Sequence, residues 1–338
     1  MVRDERFLGH KTGLTHPENP NRLKAIHRLL DREFHDLKRV EATPATLEQL
    51  EFVHTPGYIE KVMKTAEQPM TSLAPDTPAS AMSYLAAWLA AGGCLNAVDA
   101  LMGGRIDACF ALVRPPGHHA LPDRAAGFCI FNNIGVAALY AARHHGLTRV
   151  LVIDWDVHHG NGIQELFYQE KGVLYLSSHD ILLYPYTGTV EEAGEGEGEG
   201  YTVNLPLPRD LKDEEFLGLY KDILKPMVEG FSPQLIIVAA GFDGHRQDPI
   251  GRWDLTEAGY GGLTGLLLEA ASGVGRPPIL FVLEGGYDPP SLARCVGEVL
   301  GVLTGKAAGG ANHFGESPRV AALLEEIKKV HGPYGVWI

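Results

Sequence analysis

Residues 151–162 read LVIDWDVHHGNG. The stretch opens with apolar residues suited to a buried strand, and within the next few positions it places Asp154, Asp156, His158 and His159. Carboxylates and imidazoles are seldom buried unless they are paired or hold an ion. The stretch therefore predicts a strand that ends at a polar loop, and either this loop is solvated or its side chains hold a ligand.

Similar apolar runs bounded by turn residues recur along the chain: ACFALV at 108–113, RVLVID at 149–154, GVLYLS at 172–177, QLIIVAAG at 234–241 and ILFVLEGG at 279–286, with YTVNLPL at 201–207 as a further strand. Each of the first five is short and lacks polar alternation, which is typical of central parallel strands covered on both faces. Helix-like spacing separates them at 132–146 and 213–231, and the Ala-rich segment 80–104 predicts a buried helix pair or a Gly-interrupted helix.

The alternation of strands and helices predicts an α/β fold, namely a doubly wound, mainly parallel sheet with helices on both faces. We see no internal repeat and no linker-like stretch, so residues 1–338 are predicted to form a single domain.

Composition limits the function classes. The formal net charge of −13 argues against direct nucleic acid binding and would suit a cationic substrate. No apolar run reaches about 18 residues and the N-terminus has no apolar leader, so we expect no membrane span and no signal peptide. The four cysteines lack any CxxC pairing, which favours reduced thiols and a cytoplasmic protein. A homo-oligomer is compatible with these features.

The polar motifs fall where the predicted strands end: RPPGHH, DWDVHHGNG, SSHD, GFDGHRQDP and EGGY follow five successive runs. Ligands of open parallel sheets bind outside the carboxyl ends of the strands. We therefore expect these five loops to form one site.

Asp156 and His158 are one residue apart on an extended segment, so their side chains point to the same side. Asp243, directly after another strand, supplies a third ligand. One imidazole and two carboxylates with a free position predict a catalytic zinc site, and the same ligands would also admit Fe(II) or Mn(II).

The tandem imidazoles His118 and His119 follow a turn imposed by two prolines and a glycine. Beside a metal, two imidazoles can serve as general base and general acid if different partners separate their pKa values. Asp154 and Asn161 are the candidate partners. Tyr287, after two glycines, is a candidate hydroxyl donor to an oxygen that gains charge in a transition state.

The remaining histidines carry no predicted role. We expect them on the surface or in helices, except that His245 is a candidate neighbour of the metal ligands. The residues without a role are His10, His16, His27, His35, His144, His145 and His313.

In this order, RPPGHHA, GFCIFNN, DWDVHHGNG, AGFDGHRQDP and LEGGY resemble the zinc-dependent histone deacetylase family, which includes the acetylpolyamine amidohydrolases and acetoin-utilisation proteins. The similarity extends to HPENPNRL near the start and to residues 76–93, so it covers nearly the whole chain. Asn161, where class I members usually carry Asp, and the HPE opening resemble the class II and bacterial branch.

The resemblance implies an arginase/deacetylase-like fold and a set of residue roles. Zinc would be held by Asp156, His158 and Asp243. His118 and His119 would be the catalytic pair, backed by Asp154 and Asn161, and Tyr287 would donate to the scissile carbonyl. The aromatic walls of a narrow tunnel would be Phe128 and Tyr184, and a potassium ion would be held by Asp154, backbone oxygens of Asp156 and His158, and Ser177.

One position bears on the substrate that the resemblance implies, an acylated lysine or a small acylated amine. Family members that prefer acetylated polyamines carry a Glu shortly after the GFD…DP stretch, and here Ile250 stands at the matching place. An apolar side chain would not stabilise an internal ammonium, which favours a lysine-type deacylase over an acetylpolyamine amidohydrolase. The stretch YPYTG at 184–188 carries Tyr-Pro-Tyr where Tyr-Pro-Gly is commoner in the family.

Two other hypotheses remain open at the level of sequence. A binuclear Mn(II) ureohydrolase related to arginase would share this kind of sheet, but the chain offers DxDxH and a single acid in GFDG, which leaves a second metal short of ligands. A deacetylase-like binding protein without turnover would be marked by the loss of a catalytic residue, and each of the expected residues is present.

Overall fold

A computed structural model of the chain describes residues 1–309 and 317–338. Its strands are β1 (Met70–Ala74), β2 (Thr77–Ser80), β3 (Ala108–Ala111), β4 (Val150–Asp154), β5 (Val173–His179), β6 (Thr202–Pro206), β7 (Leu235–Ala240) and β8 (Ile279–Leu283). Its α-helices are α1 (Asn21–Glu33), α2 (Leu47–Leu50), α3 (Pro56–Met63), α4 (Ser83–Met102), α5 (Asn133–His145), α6 (Asn161–Phe167), α7 (Asp213–Phe231), α8 (Glu257–Ser272), α9 (Pro289–Leu303) and α10 (Pro318–His331).

The central sheet contains the six strands β3 to β8, and every pairing in it is parallel. Strands β4, β5, β7 and β8 are buried along their whole length, as expected when helices cover both faces of a sheet. The predicted α/β fold with a mainly parallel sheet is confirmed. The strands β1 and β2 form a separate antiparallel pair.

The strand order is β3-β8-β7-β4-β5-β6. From β4 the chain moves outward through β5 to β6, and from β7 it moves the opposite way to β8. Neighbouring strands whose continuations diverge in this manner create a crevice at their carboxyl ends, which is where open parallel sheets bind ligands. The loops after β4 and β7 meet at this point.

Helix α4 is continuous from Ser83 to Met102, so the alternatives of a helix pair or a Gly-interrupted helix are wrong. Its glycines allow close packing, since a Cβ on Gly92 would collide with the backbone at Thr43. The sequence predicted no membrane span, but by length and hydropathy alone α4 could cross a membrane. However, 78% of its most apolar window is buried inside the protein. Core packing therefore accounts for its apolar surface.

Candidate active site

Asp156, His158 and Asp243 converge at the carboxyl ends of β4 and β7. Nδ1 of His158 lies 3.1 Å from Oδ1 of Asp156 and 3.0 Å from Oδ2 of Asp243. All three side chains are buried, and one ligand atom from each lies within 4.8 Å of the others. The structure therefore brings the three predicted ligands together, with their nitrogen and oxygen donors facing one point.

Backbone amides orient the two carboxylates. Oδ2 of Asp156 accepts a 2.8 Å hydrogen bond from the N–H of Gly285, and Oδ1 of Asp243 accepts one of 3.0 Å from Val157. Each carboxylate thereby has one oxygen held by the backbone and one turned toward His158, the arrangement that fixes metal ligands in proteins. A Cβ on Gly285 would collide with the carboxylate of Asp243, so glycine is required there.

The electrostatics of the cluster favour an added positive charge. Burial lowers the pKa of His158, but Asp156 and Asp243 outweigh it and raise that pKa to about 10. Burial and the neighbouring Asp156 raise the pKa of Asp243 to about 7. A divalent cation can supply the charge that these carboxylates attract, and one imidazole with two carboxylates is a donor set that zinc accepts. The residues therefore fit a divalent metal.

The two histidines that precede α5 lie beside this cluster. The ring centroids of His118 and His119 are 3.9 Å apart, and the ring of His119 is 6.0 Å from that of His158. Nδ1 of His118 is 3.2 Å from Oδ2 of Asp154, and Nδ1 of His119 is 2.9 Å from Oδ1 of Asn161. Each imidazole thus has the partner that the sequence predicted for it.

These different partners give the two imidazoles opposite pKa shifts. Burial lowers the pKa of His118, but the charges of Asp156 and Asp154 outweigh it and raise that pKa to about 10. Burial lowers the pKa of His119 well below its usual value, and the nearby His118 and His158 lower it further. One ring is therefore suited to carry a proton and the other to accept one.

Tyr287 lies on the loop between β8 and α9. Its ring makes an edge contact with Phe128, with centroids 5.7 Å apart, and the guanidinium carbon of Arg22 lies 4.9 Å from the ring centroid. Burial and the charges of Asp243 and Asp156 raise the pKa of Tyr287 well above its usual value. The phenol therefore remains protonated and can act as a hydrogen-bond donor near Asp156 and Asp243.

Two aromatic side chains lie close to the predicted site residues. Tyr184 packs edge-on against His119, with centroids 5.0 Å apart, and Phe128 packs against Tyr287. Phe128 adopts a left-handed backbone (φ 69°) after Gly127, whose missing Cβ leaves room for the ring of His119. Tyr184 therefore lies beside His119, and Phe128 lies beside Tyr287.

The other predicted site residues lie on the same edge of the sheet. Ser177 pairs with Asp154 across β4 and β5, and both side chains are buried. Ile250 is half-buried on the loop that follows β7, and its N–H donates a 2.9 Å hydrogen bond to Asp248. This backbone hydrogen bond fixes the position of Ile250 on the loop that also carries Asp243.

Sequence reasoning missed a buried ionic network behind Tyr287. Glu18 accepts hydrogen bonds from Arg22 (3.1 Å) and Arg114 (2.7 Å to its other oxygen), and Nε of Arg22 donates to the carbonyl of Gly286 at 2.6 Å. Glu284 accepts from the amides of the turn that carries the tandem histidines. These charged residues lie inside the stretches HPENPNRL, RPPGHH and LEGGY, and the presence of charged residues in these motifs was the signal that could have revealed the network.

Several histidines also differ from expectation. His10 is buried beside Ser83 and Glu18 and belongs to neither a helix nor the surface, because its ring completes the ionic network. His16 is half-buried and contacts Phe128 at 4.7 Å. His245, by contrast, was expected beside Asp243, and it is buried two residues after Asp243 and lies 3.4 Å from Glu257. His313 lies outside the described residues.

Comparisons with known proteins match this chain to histone deacetylases and a histone deacetylase-like amidohydrolase. The model of the histone deacetylase domain matches residues 16–303. The chain is 39% identical over 331 residues to histone deacetylase 15 of Arabidopsis thaliana, covering 95% of this chain and 59% of that protein. It is 38% identical over 294 residues to the histone deacetylase-like amidohydrolase of Pseudomonas aeruginosa, covering 86% of this chain and 77% of that protein. The crystal structure of the HDA15 HD domain superposes with a TM-score of 0.92 at 37% identity, covering 99% of this chain and 94% of that one.

Proposed function

Since this chain belongs to the histone deacetylase family, we propose that it is a zinc-dependent amidohydrolase that removes acetyl or other short acyl groups from lysine side chains or related primary amines. The observation that carries the proposal is the buried cluster of Asp156, His158 and Asp243 beside the imidazole pair. We assign zinc to this cluster, at about one ion per chain, because structural and catalytic zinc sites use these donors.

Amide hydrolysis needs a polarised carbonyl, an activated water and a protonated leaving amine. Bound zinc would polarise the carbonyl and lower the pKa of the attacking water toward about 7. The proton transfers and the stabilisation of the carbonyl oxygen depend on side chains of this chain. Their hydrogen bonds suggest which residue performs each step.

His119 is the general base in this proposal. Its Nδ1 faces the oxygen of Asn161, which can only accept, so the proton of the neutral ring sits on Nδ1 and the lone pair lies on Nε2. A lowered pKa keeps the ring neutral and able to take a proton from the attacking water. His118, protonated and held by Asp154, supplies positive charge beside it, and the proton for the leaving amine comes from the same pair.

Tyr287 acts on the carbonyl oxygen. As the water oxygen bonds to the carbonyl carbon, the carbonyl oxygen gains negative charge, and the protonated phenol donates a hydrogen bond to it. One such donor stabilises the transition state by about 3 kcal/mol in other hydrolases. The carbon–nitrogen bond then breaks, releasing the amine and the carboxylic acid.

The aliphatic stem of the acyl-lysine would lie between Phe128 and Tyr184, whose rings stand beside the reactive groups. Ile250 on the neighbouring loop favours a lysine-type substrate over an acetylpolyamine, because it cannot pair with an internal ammonium.

A potassium ion held by Asp154, the backbone oxygens of Asp156 and His158, and Ser177 would stabilise the β4 loop. We also propose a cytoplasmic location, based on four free, buried cysteines.

The direct test combines metal analysis with a hydrolysis assay on an acetyl-lysine peptide. We expect about one zinc per chain after purification, turnover of the peptide, loss of turnover on chelation and recovery when zinc is restored. Full activity after exhaustive chelation would refute the zinc assignment. Absence of turnover by the zinc-loaded protein on both acetyl-lysine and acetylpolyamine substrates would favour the non-catalytic alternative.

A further inference from the structure

The loop after β5, residues 181–188, carries an exposed aromatic residue in a strained conformation. Tyr186 has φ 64°, in the left-handed region, and 71% of its side chain is exposed. Residues with a Cβ lose roughly 1–2 kcal/mol in this region, and glycine avoids that cost. A tyrosine at such a position lowers the stability of the folded protein, and burial of its ring does not offset that cost.

The loop is anchored on both sides of Tyr186. Before it, Tyr184 packs against the ring of His119 at 5.0 Å. After it, the hydroxyl of Thr187 hydrogen-bonds the ring of His159 at 2.8 Å, and the carbonyl of Gly188 accepts a 2.8 Å hydrogen bond from His179. Tyr186 therefore projects outward from a turn whose two ends are fixed at buried residues of the active-site edge.

The position of the ring relative to the reactive groups follows from this anchoring. Tyr184, a wall residue beside His119, is two residues from Tyr186, and the N–H of Tyr186 donates to the carbonyl of Leu183 at 2.9 Å to close the turn. Leu182 on the same loop is 57% exposed. Tyr184 is 37% exposed, so the loop carries three exposed apolar side chains, Leu182, Tyr184 and Tyr186, which we call the ledge.

We propose that Tyr186 is a specificity residue that contacts the polypeptide flanking the acyl-lysine, so that it raises kcat/KM for peptides over a lone acyl-lysine residue. The inference rests on the proposed function and deepens it. Tyrosine provides a large, flat contact surface at low entropic cost, and peptide groups and apolar side chains pack well on it. A lone acyl-lysine residue lacks the flanking polypeptide that this contact requires.

The experiment compares two substrates across a set of variants. One substrate is an acetyl-lysine hexapeptide, and the other is a single acetyl-lysine residue with blocked termini. In Tyr186→Gly and Tyr186→Ala, we expect kcat/KM for the hexapeptide to fall about tenfold through a higher KM, while the value for the single residue changes by less than about twofold. Tyr186→Phe retains the ring and should behave as wild type.

Asp210→Gly is the matched control. Asp210 is another exposed residue other than glycine with a left-handed backbone, at φ 57°, on the loop before α7. Its replacement relieves the same kind of strain without removing an aromatic ring, so both substrates should react as with wild type. In Tyr186→Gly the melting temperature should stay level or rise, by about 2 °C.

Four outcomes would overturn the proposal: parallel losses on both substrates, no loss on the hexapeptide, a lower melting temperature in Tyr186→Gly, or a dimer of the wild type that this variant abolishes in sedimentation analysis. The last would assign the ledge to a second copy of the chain. If the wild type hydrolyses neither substrate, the proposed function itself fails and the specificity assignment fails with it. If the wild type hydrolyses both substrates, the kcat/KM values of the Tyr186 variants decide whether the specificity assignment is right.

Discussion

The backbone N–H of Tyr287 donates a 2.6 Å hydrogen bond to Oδ2 of Asp248. The carbonyl of the same peptide unit, at Gly286, accepts a 2.6 Å hydrogen bond from Arg22. The peptide group that carries Tyr287 is therefore held from opposite sides by a buried cation and a half-buried anion. Asp248 also accepts from Ile250 and Gly251 in its own loop, so its side chain joins the loop after β7 to the loop after β8.

Asp248→Asn should lower kcat about ten- to hundredfold with little change in KM. Asparagine replaces one acceptor oxygen with a donor, and Asp248 meets only backbone N–H groups at these positions. The loop of Tyr287 should then shift relative to the substrate carbonyl. Steady-state kinetics and zinc content would be measured together.

Asp213→Asn is the control for this substitution, because Asp213 also accepts from a backbone N–H, that of Thr256, away from the active site. It should alter stability and leave kcat near the wild-type value. A double-mutant cycle separates positioning from general damage: in a Tyr287→Phe background, Asp248→Asn should add little further loss of kcat. Additive losses, or loss of zinc, would contradict the positioning role.

Removing a metal ligand should abolish both metal binding and activity. Asp243→Asn or His158→Ala takes away one of three donors at a buried site, and the remaining two do not hold zinc tightly. Elemental analysis and the peptide assay would be run on the same samples. His145→Ala, at the exposed end of α5, serves as control. Retention of a full equivalent of zinc in either ligand variant would mean that the ion binds elsewhere.

The acid–base assignment predicts losses in kcat with the metal retained. His119→Ala and Tyr287→Phe should each lower kcat on an acetyl-lysine substrate by at least about a hundredfold, because they remove the base and the oxyanion donor. Tyr140→Phe is a suitable control, since the hydroxyl of Tyr140 hydrogen-bonds Asp99 outside the site. Turnover near the wild-type rate in either variant would remove that residue from the mechanism.

Ile250→Glu should shift the preference toward acetylated polyamines. A carboxylate at this position could pair with an internal ammonium that isoleucine leaves poorly solvated. We expect the wild type to favour an acetyl-lysine peptide over N-acetylated putrescine, cadaverine and spermidine, and the variant to narrow that ratio by about tenfold. A tenfold preference of the wild type for a polyamine, about 1.4 kcal/mol, would reverse the substrate assignment.

Glu18→Gln should destabilise the protein in a pH-dependent way. Burial opposes ionisation of Glu18, but Arg114 and His10 outweigh it and hold the pKa of this carboxyl well below its ordinary value of 4.5. A carboxyl whose folded-state pKa is lowered contributes stability above its unfolded pKa and loses it as the pH falls. Removing one partner of a buried ion pair costs about 3–5 kcal/mol.

The difference in unfolding free energy between wild type and Glu18→Gln should therefore reach its maximum at neutral pH. It should become smaller as the pH drops below about 4.5. Urea unfolding across this range would measure it. Glu48→Gln, on an exposed turn of α2, is the control and should show no such trend. A difference independent of pH would show that packing, and not charge, accounts for the loss.

The strands could be predicted because their signal is local. The apolar runs at 149–154 and 279–286 correspond to β4 and β8, and helix α7 has the bounds predicted from its spacing and acidic first turn. The clustering of Asp156, His158 and Asp243 could also be predicted, since these residues follow strands closely and the carboxyl ends of parallel strands share one edge. Helix α4 was misjudged because interior glycines usually weaken a helix, whereas here they permit tight packing.

The sequence by itself determined the sheet, the edge at which its polar loops meet and the residue types of the site, because strand periodicity and motif position are properties of short segments. Only the tertiary structure decided which charges meet behind that edge. Arg22 and Gly286 are 264 residues apart, and Glu18 and Arg114 are 96 apart, so no local pattern could pair them. The left-handed backbone of Tyr186 was likewise invisible in the sequence, because its loop is held at both ends by contacts with other strands and loops.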